Sequence, residues 1–207
     1  MEQRSPEWFA ARLGKATASS IADIVAKTKS GYSTSRANYA AQLVAERLTG
    51  VAAERYSNAA MQHGTETEPQ ARAAYTFLTD RDVVEVGFID HPRIPMTGAS
   101  PDGLVGIDGL IEIKCPYTAT HIDTLLSQKV PDKYIIQMSW QMACTGRMWC
   151  DYVSFDPRLP ADLQLFVKRV QRDDAHIAML EAEVSAFLAE VETTISKLQE
   201  LSRKKAA

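Results

Sequence analysis

Apolar positions recur along this chain in two periods. Spacings of three and four mark helices, and alternation by two marks strands with one covered face. From Asp174 to Lys205 the residues Ile177, Leu180, Val184, Phe187, Val191, Ile195 and Leu198 form one stripe. It predicts a single long helix laid against the body or a partner subunit. Arg36 to Thr49 repeats the pattern on Tyr39, Leu43, Val44 and Leu48, closed by Gly50. Ser5–Ala26 divides into two helices: Ser5 caps the first, Pro6 takes its first position, Gly14 ends it, and Thr17–Ser20 can cap the second. A polar loop, Lys27–Gly31, follows. Asn58–Asp80 is helical too, with Pro69 expected near a helix start, Thr67 as its cap and His63–Glu66 as a turn or preceding helix. Two more helices are expected over Thr118–Gln128 and Tyr134–Gly146. In the second, Gln137 and Gln141 stack one turn apart on a face separate from Ile136, Trp140 and Ala143.

Strand patterns occupy Asp82–Asp90, Ile94–Ala99, Leu104–Gly106 and Leu110–Lys114, a meander that Pro116 stops. Trp149–Phe155 reads as a fully buried strand, and Leu163–Arg172 as another. Together the elements predict an α/β (α+β) fold, a central mixed β-sheet flanked by helices. No repeat or low-complexity linker divides the chain, so residues 1–207 are expected to form one domain, with a helical part over 1–60 and a C-terminal helix over 174–205.

The segment Gly98–Pro116 carries the candidate chemistry. In Leu110–Lys114, Ile111 and Ile113 are expected to face a core, while Glu112 and Lys114 share the opposite side. The preceding turn decides where Asp102 lies. A two-residue Asp108-Gly109 turn pairs Val105 with Glu112 and leaves Asp102 on the wrong face. A three-residue loop, Ile107–Gly109 with Gly109 left-handed, sets Leu104 opposite Glu112 and Asp102 opposite Lys114. The second register is preferred because it gathers all three groups, and a bulge at Gly103 achieves the same. Two converging carboxylates suit a hard divalent cation, and an adjacent ammonium can steady an attacking hydroxide or the charge building on a phosphate. A solvated hairpin with a surface ion pair would carry the same residues.

Composition narrows the field. With 45% apolar and 24% charged residues the chain has the make-up of a soluble globular protein. No apolar run reaches the ~18 residues of a membrane span, and no signal-peptide core opens the chain. Three cysteines without a CxxC pair fit a reducing cytoplasm. The net charge of −3 is spread unevenly: residues 1–60 hold 8 Lys/Arg against 5 Asp/Glu, the remainder 15 against 21. That asymmetry marks the N-terminal third as the expected phosphate-facing part.

The spacing Pro101-Asp102-x9-Glu112-x-Lys114 resembles the PD-(D/E)xK nuclease superfamily. Flanking motifs sharpen the resemblance: Trp8-x3-Arg12-x-Gly14-x2-Thr17-Ala18-Ser19, Gly64-x3-Glu68-x2-Ala71-Arg72, Ser100–Gly103, Glu112–Pro116 and Tyr134-x2-Gln137. In this order they resemble the phage recombination exonucleases of the lambda exonuclease type, over Trp8 to about Asp173. The resemblance implies a restriction-endonuclease-like core and a site with two Mg²⁺ ions, Mn²⁺ being an alternative. Asp102, Glu112 and the backbone carbonyl of Ile113 would be ligands, Glu68 would join through a metal-bound water, Lys114 would stand by the attacking water, and Gln137 would position the nucleophile or the scissile phosphate. Arg12 would receive a 5′-phosphate with Ser19 and Ser100 beside it; Lys29 would track DNA, and Met61 would wedge the duplex end. The implied activity is 5′→3′ digestion of one strand of linear duplex DNA to mononucleotides by a homotrimeric ring. The 3′ tail would pass to a phage single-strand annealing protein in the host cytoplasm. A structure- or site-specific endonuclease, or a non-catalytic DNA-binding module, is the rival expectation.

Overall fold

The computed structural model describes residues 2–53 and 59–206, leaving aside the side chains of Ala60, Met61 and Ala206. Its centre is a five-stranded sheet in the order β10-β9-β8-β7-β4. These strands are β4 (Val83–Val84), β7 (Gly103–Val105), β8 (Gly109–Lys114), β9 (Trp149–Phe155) and β10 (Leu165–Gln171). Only β8 and β9 run parallel; the other neighbours are antiparallel. A parallel pair requires a crossover, and helices α5 (Thr118–Ser127) and α6 (Asp132–Thr145) supply it.

That crossover changes the expected exposure of β8. The alternating pattern predicts one open face, yet Gly109–Ile113 are all buried. Ile111 and Ile113 pack with Ala71 and Tyr75 of α4 (Ala59–Thr79), while Leu110 on the other face meets Met138 and Met142 of α6. Glu112 lies on this second face and has no solvent exposure. Every residue of β9 is buried as well, including Asp151, which is held by both guanidinium arms of Arg169 and by the Tyr75 hydroxyl.

Helix α6 is the middle layer. Residues Met138–Cys144 are buried without a break, which is the mark of a helix covered on all sides. Its far side, through Trp140 and Cys144, packs on a cluster built from α2 (Ile21–Val25), α3 (Thr34–Thr49) and α7 (Asp174–Ala206). The α7 stripe from Ile177 to Ile195 is buried as expected, against this body; Leu198 is exposed. Acids along α7 meet cations from the N-terminal third: Glu183 pairs with Lys27, Glu190 with Arg36 and Glu192 with Arg47. With Arg4 on Glu68 and Lys15 on Asp90, much of the positive excess expected to face phosphate is spent inside the protein.

Three expectations are corrected. Residues 59–79 form one helix running through Pro69, which is exposed, so its ring and missing N–H are accommodated on the solvent side and Thr67 caps nothing. The polar loop Lys27–Gly31 is the core of a small hairpin, β2 (Lys27–Thr28) with β3 (Gly31–Tyr32). The meander is divided, because β5 (Ile89–Asp90) and β6 (Thr97–Ala99) join β1 (Ala16–Thr17) in a separate sheet.

The division has a local cause. Val83↔Val105 and Ile89↔Ala99 keep one common register, so β4–β5 and β6–β7 are two stretches of a single hairpin. The ladder opens between them at Pro101, which has no N–H to give. Gln3 fills the opening, its amide donating to the carbonyls of Val86 (2.9 Å) and Pro101 (2.8 Å). Asp102 follows immediately, at the bend where the chain re-enters the main sheet.

Candidate active site

The β7–β8 hairpin brings the two central carboxylates together in a register the sequence reading did not choose. The pairs are Gly103↔Ile111, Leu104↔Leu110 and Val105↔Gly109, so one step further Asp102 stands across from Glu112. The loop is three residues long, as expected, but begins at Gly106, which is the left-handed position (φ +56°). Gly109 serves another purpose: a Cβ there would lie 2.1 Å from the Trp149 ring, which packs over it. The shift is an even number of residues, so Asp102, Glu112 and Lys114 remain on one face.

Glu112 is fully engaged. One oxygen, Oε1, accepts from Gln137 Nε2 (2.7 Å) and pairs with the Lys114 ammonium; the other, Oε2, accepts from Gln141 Nε2 (2.5 Å). Asp102 Oδ2 accepts the backbone N–H of Ile113 (2.7 Å). Burial raises the Asp102 carboxyl well above its ordinary value, and repulsion from Glu112 and Glu68 adds to this against the pull of Lys114 and the Ile113 N–H. For Lys114, burial opposes the charge, but Glu112 and Asp102 outweigh it and hold the ammonium above its usual range. Burial, with Glu68 and Asp102 nearby, pushes the Cys115 thiol up to about 12, so it stays protonated.

Asp102 and Lys114 open onto a cleft of about 640 Å³ whose walls also include Glu68 and Ile113, while Glu112 has no solvent exposure. Glu68 arrives from α4 and Glu66 does not: Glu66 is exposed and takes a bond from Gln62 (2.8 Å). Glu68 itself is gripped by Arg72 (2.8 Å) and by Arg4 (3.0 Å), a cleft-edge arginine the sequence did not single out. A second hollow of about 320 Å³ lies beyond the wall formed by Lys114, Lys133 and Tyr134, and is lined by Ser19, Asp23 and Gln137.

The anion-site residues fall into place only in part. Helix α1 (Pro6–Arg12) is capped by the Ser5 hydroxyl on Trp8 N–H (3.2 Å), and its end brings Arg12 onto Ser100 Oγ (3.1 Å). Trp8 Nε1 donates to the same oxygen (2.9 Å), and its ring lies 4.0 Å beneath the Arg12 guanidinium. The parallel pairing Thr17↔Gly98 makes β1 and β6 end at the same edge, so the chain runs on to Ser19 and Ser100 from neighbouring strands. Ser19 bonds Thr17 (3.3 Å) and is exposed. Lys29 is exposed at the tip of the β2–β3 hairpin and lines neither hollow. The Met61 side chain lies outside the described residues; His63 sits on α4 with Nδ1 3.4 Å from Thr67 Oγ1.

The residues fit a hard divalent cation. Two carboxylates face each other with one ammonium paired to Glu112, and burial together with repulsion from Glu112 and Glu68 makes Asp102 resist ionising. Among the described residues no three His, Cys, Asp or Glu side chains close on one point.

A mixed sheet presenting an acid–acid–lysine set from adjacent strands, with the gathering helix α6 across it, defines a nuclease of the PD-(D/E)xK class. Residues 7–148 match the YqaJ-like viral recombinase domain, and the chain belongs to that family. It is 58% identical to LHK-Exo as crystallised with dAMP, over 97% of this chain and 99% of that one, at a TM-score of 0.91. A second structure of LHK-Exo, described as an alkaline exonuclease from Laribacter hongkongensis, matches at 57% identity, 97% and 99% coverage and a TM-score of 0.90. A phage-related exonuclease from Haemophilus somnus 129PT shares the fold at 19% identity, with a TM-score of 0.73 over 89% of this chain and 96% of that one. No curated protein sequence matches. The chain is thus a deoxyribonuclease by family.

The Asp102 shift has a consequence for stability. Its folded-state value lies above the ordinary one, so the retained proton stabilises the metal-free fold at low pH, and that contribution is lost as pH rises through the elevated value. Asp102→Asn is expected to stabilise the metal-free protein by about 1 kcal/mol at about pH 8 and to do little at about pH 4, measured by urea unfolding. Equal effects at both pH values would contradict the assigned strain.

Proposed function

We propose that this protein is a Mg²⁺-dependent 5′→3′ exonuclease that removes mononucleotides from one strand of linear duplex DNA, starting at a phosphorylated 5′ end. The observation that carries the reading is Asp102 set directly across from a buried Glu112, with Lys114 on the same face and the cleft open before them. Membership of a viral recombinase family and a close relative crystallised with a deoxynucleoside monophosphate support it.

Asp102, Glu112 and the Ile113 carbonyl would hold the cations, with Glu68 contributing through water. A divalent cation held there, Mg²⁺ or Mn²⁺ in its place, would supply a lowered pKa for an attacking water and screening of charge on the leaving 3′-oxygen. Lys114, kept charged by its two acidic neighbours, steadies negative charge at the attacked phosphate. Gln137 turns its amide toward the same carboxylate and lines the adjoining hollow, where it can orient water or a phosphate oxygen. Arg12 with Ser100 and Ser19 would receive the terminal 5′-phosphate, fixing which bond reaches the acids. Lys29 on its exposed hairpin would track the backbone, and Met61 would part the terminal base pair.

In the full reading three copies form a ring around the product duplex, and the 3′ tail passes to a single-strand annealing protein. Near the end of α4, Phe77 is 93% exposed and its neighbour Leu78 63%, apolar surface that supports a subunit contact. Three free, buried cysteines support work in the reducing host cytoplasm.

The assay compares linear duplex bearing 5′-phosphate or 5′-hydroxyl with closed circular DNA, with and without Mg²⁺. Phosphorylated ends are expected to be consumed and circles to survive; equal cutting of circles would favour the endonuclease reading. Arg12→Ala is expected to erase the preference for phosphorylated ends while leaving slow cutting, and an undiminished preference would reject that pocket. Glu112→Gln and Lys114→Ala are each expected to slow hydrolysis by about 10²-fold or more without unfolding the protein. Parental rates in either would remove those residues from the reaction. Sedimentation at micromolar concentration should give about three times the 22.9 kDa of one chain, and a monomer would exclude the ring.

A further inference from the structure

The Glu112 carboxylate has two sides, and the residues on them differ. At Oε1 stand Gln137 and the Lys114 ammonium, both of which line the open hollows. At Oε2 stands Gln141, which has no solvent exposure and lines neither hollow. Oε1 is therefore the oxygen turned to the cleft, and Oε2 the one turned into the protein. We propose that Gln141 is a positioning residue that fixes Glu112 from behind, so that Oε1 alone is offered to a divalent cation.

The amide is itself held in one sense. Cys150 Sγ approaches Gln141 Oε1 from the neighbouring strand at 3.9 Å, a weak donor on the carbonyl end, which leaves Nε2 for the carboxylate. Gln141 lies one helical turn beyond Gln137, so α6 delivers both amides to one carboxylate from one face. Their roles then separate. Gln137 reaches Glu112 from the cleft side and can exchange its partner for water or substrate, whereas Gln141 has no other group to turn to. A neutral amide also suits the position better than an acid or a base. A second carboxylate would repel Glu112, and an ammonium would compete with the cation for its charge. A purely apolar side chain would leave Oε2 buried without a donor and free the carboxylate to rotate.

This inference rests on the proposed cation site, and the test separates the two. Gln141→Met keeps length and helix propensity but removes the donor; Gln141→Asn keeps the amide and cannot reach. Thermal unfolding of the DNA-free proteins is followed as Mg²⁺ alone is added, and DNA affinity is measured without Mg²⁺. In both variants the Mg²⁺ concentration needed for a given rise in unfolding temperature is expected to increase about tenfold or more, with DNA affinity unchanged. A variant that loses stability but keeps the parental Mg²⁺ dependence would overturn the positioning role and leave Gln141 as packing. A parent that shows no Mg²⁺ stabilisation would overturn the cation site itself, and the inference with it.

Discussion

A carboxylate with no access to solvent must find its donors inside the protein, and Glu112 sets this requirement for the whole molecule. It is met by three groups, Lys114 and the amides of Gln137 and Gln141. They depend on two separate architectural choices. Lys114 shares the face because β8 stays regular for two more residues. The amides are delivered by α6, which is pinned over the sheet because the β8–β9 pair is parallel and its crossover has to pass there. The cluster on the far side of α6, built with α2, α3 and α7, covers the rest of that helix.

Asp102 adds a second demand that the chain does not meet on its own. The ladder opens at Pro101, Gln3 ties the two loosened segments, and the bend that results turns Asp102 toward Glu112. One ammonium then serves two close carboxylates, with Glu68 adding to the repulsion from α4. The protein tolerates this imbalance because Ile113 N–H bonds Asp102 and because the cleft is open. The chemistry follows from the imbalance: two close carboxylates bordered by an ammonium and open to a cleft are suited to take up cations and act on a phosphodiester.

Much of this was legible in the residues. The common face of Asp102, Glu112 and Lys114 depends only on parity, so it survived a hairpin register that was wrong by two residues. The register itself was not legible, because Gly106 and Gly109 are equally plausible turn glycines until Trp149 is seen packing over Gly109. Helical stripes such as Ile177–Ile195 were read correctly, since apolar spacing reports a covered face wherever the cover comes from. The same spacing could not say that the polar face of α6 is covered too; two glutamines one turn apart look alike whether they meet water or a buried acid. The bonds of Gln3 and Arg4 span the chain from its start to the cleft, and no local pattern encodes them. Charge asymmetry could not show which cations are paired within the protein, since Lys27, Arg36 and Arg47 are answered by acids on α7 far along the sequence.

The central claim is that Asp102 and Glu112 together form a divalent-cation site at the cleft. Anomalous diffraction from crystals grown with Mn²⁺ tests it most directly. The account predicts a strong peak bounded by the Asp102 carboxylate, Glu112 Oε1 and the Ile113 carbonyl, with the Lys114 ammonium moved off Glu112. Lys114 still seated on Glu112 with no peak beside it, in crystals of a protein that cleaves DNA with Mn²⁺, would contradict it.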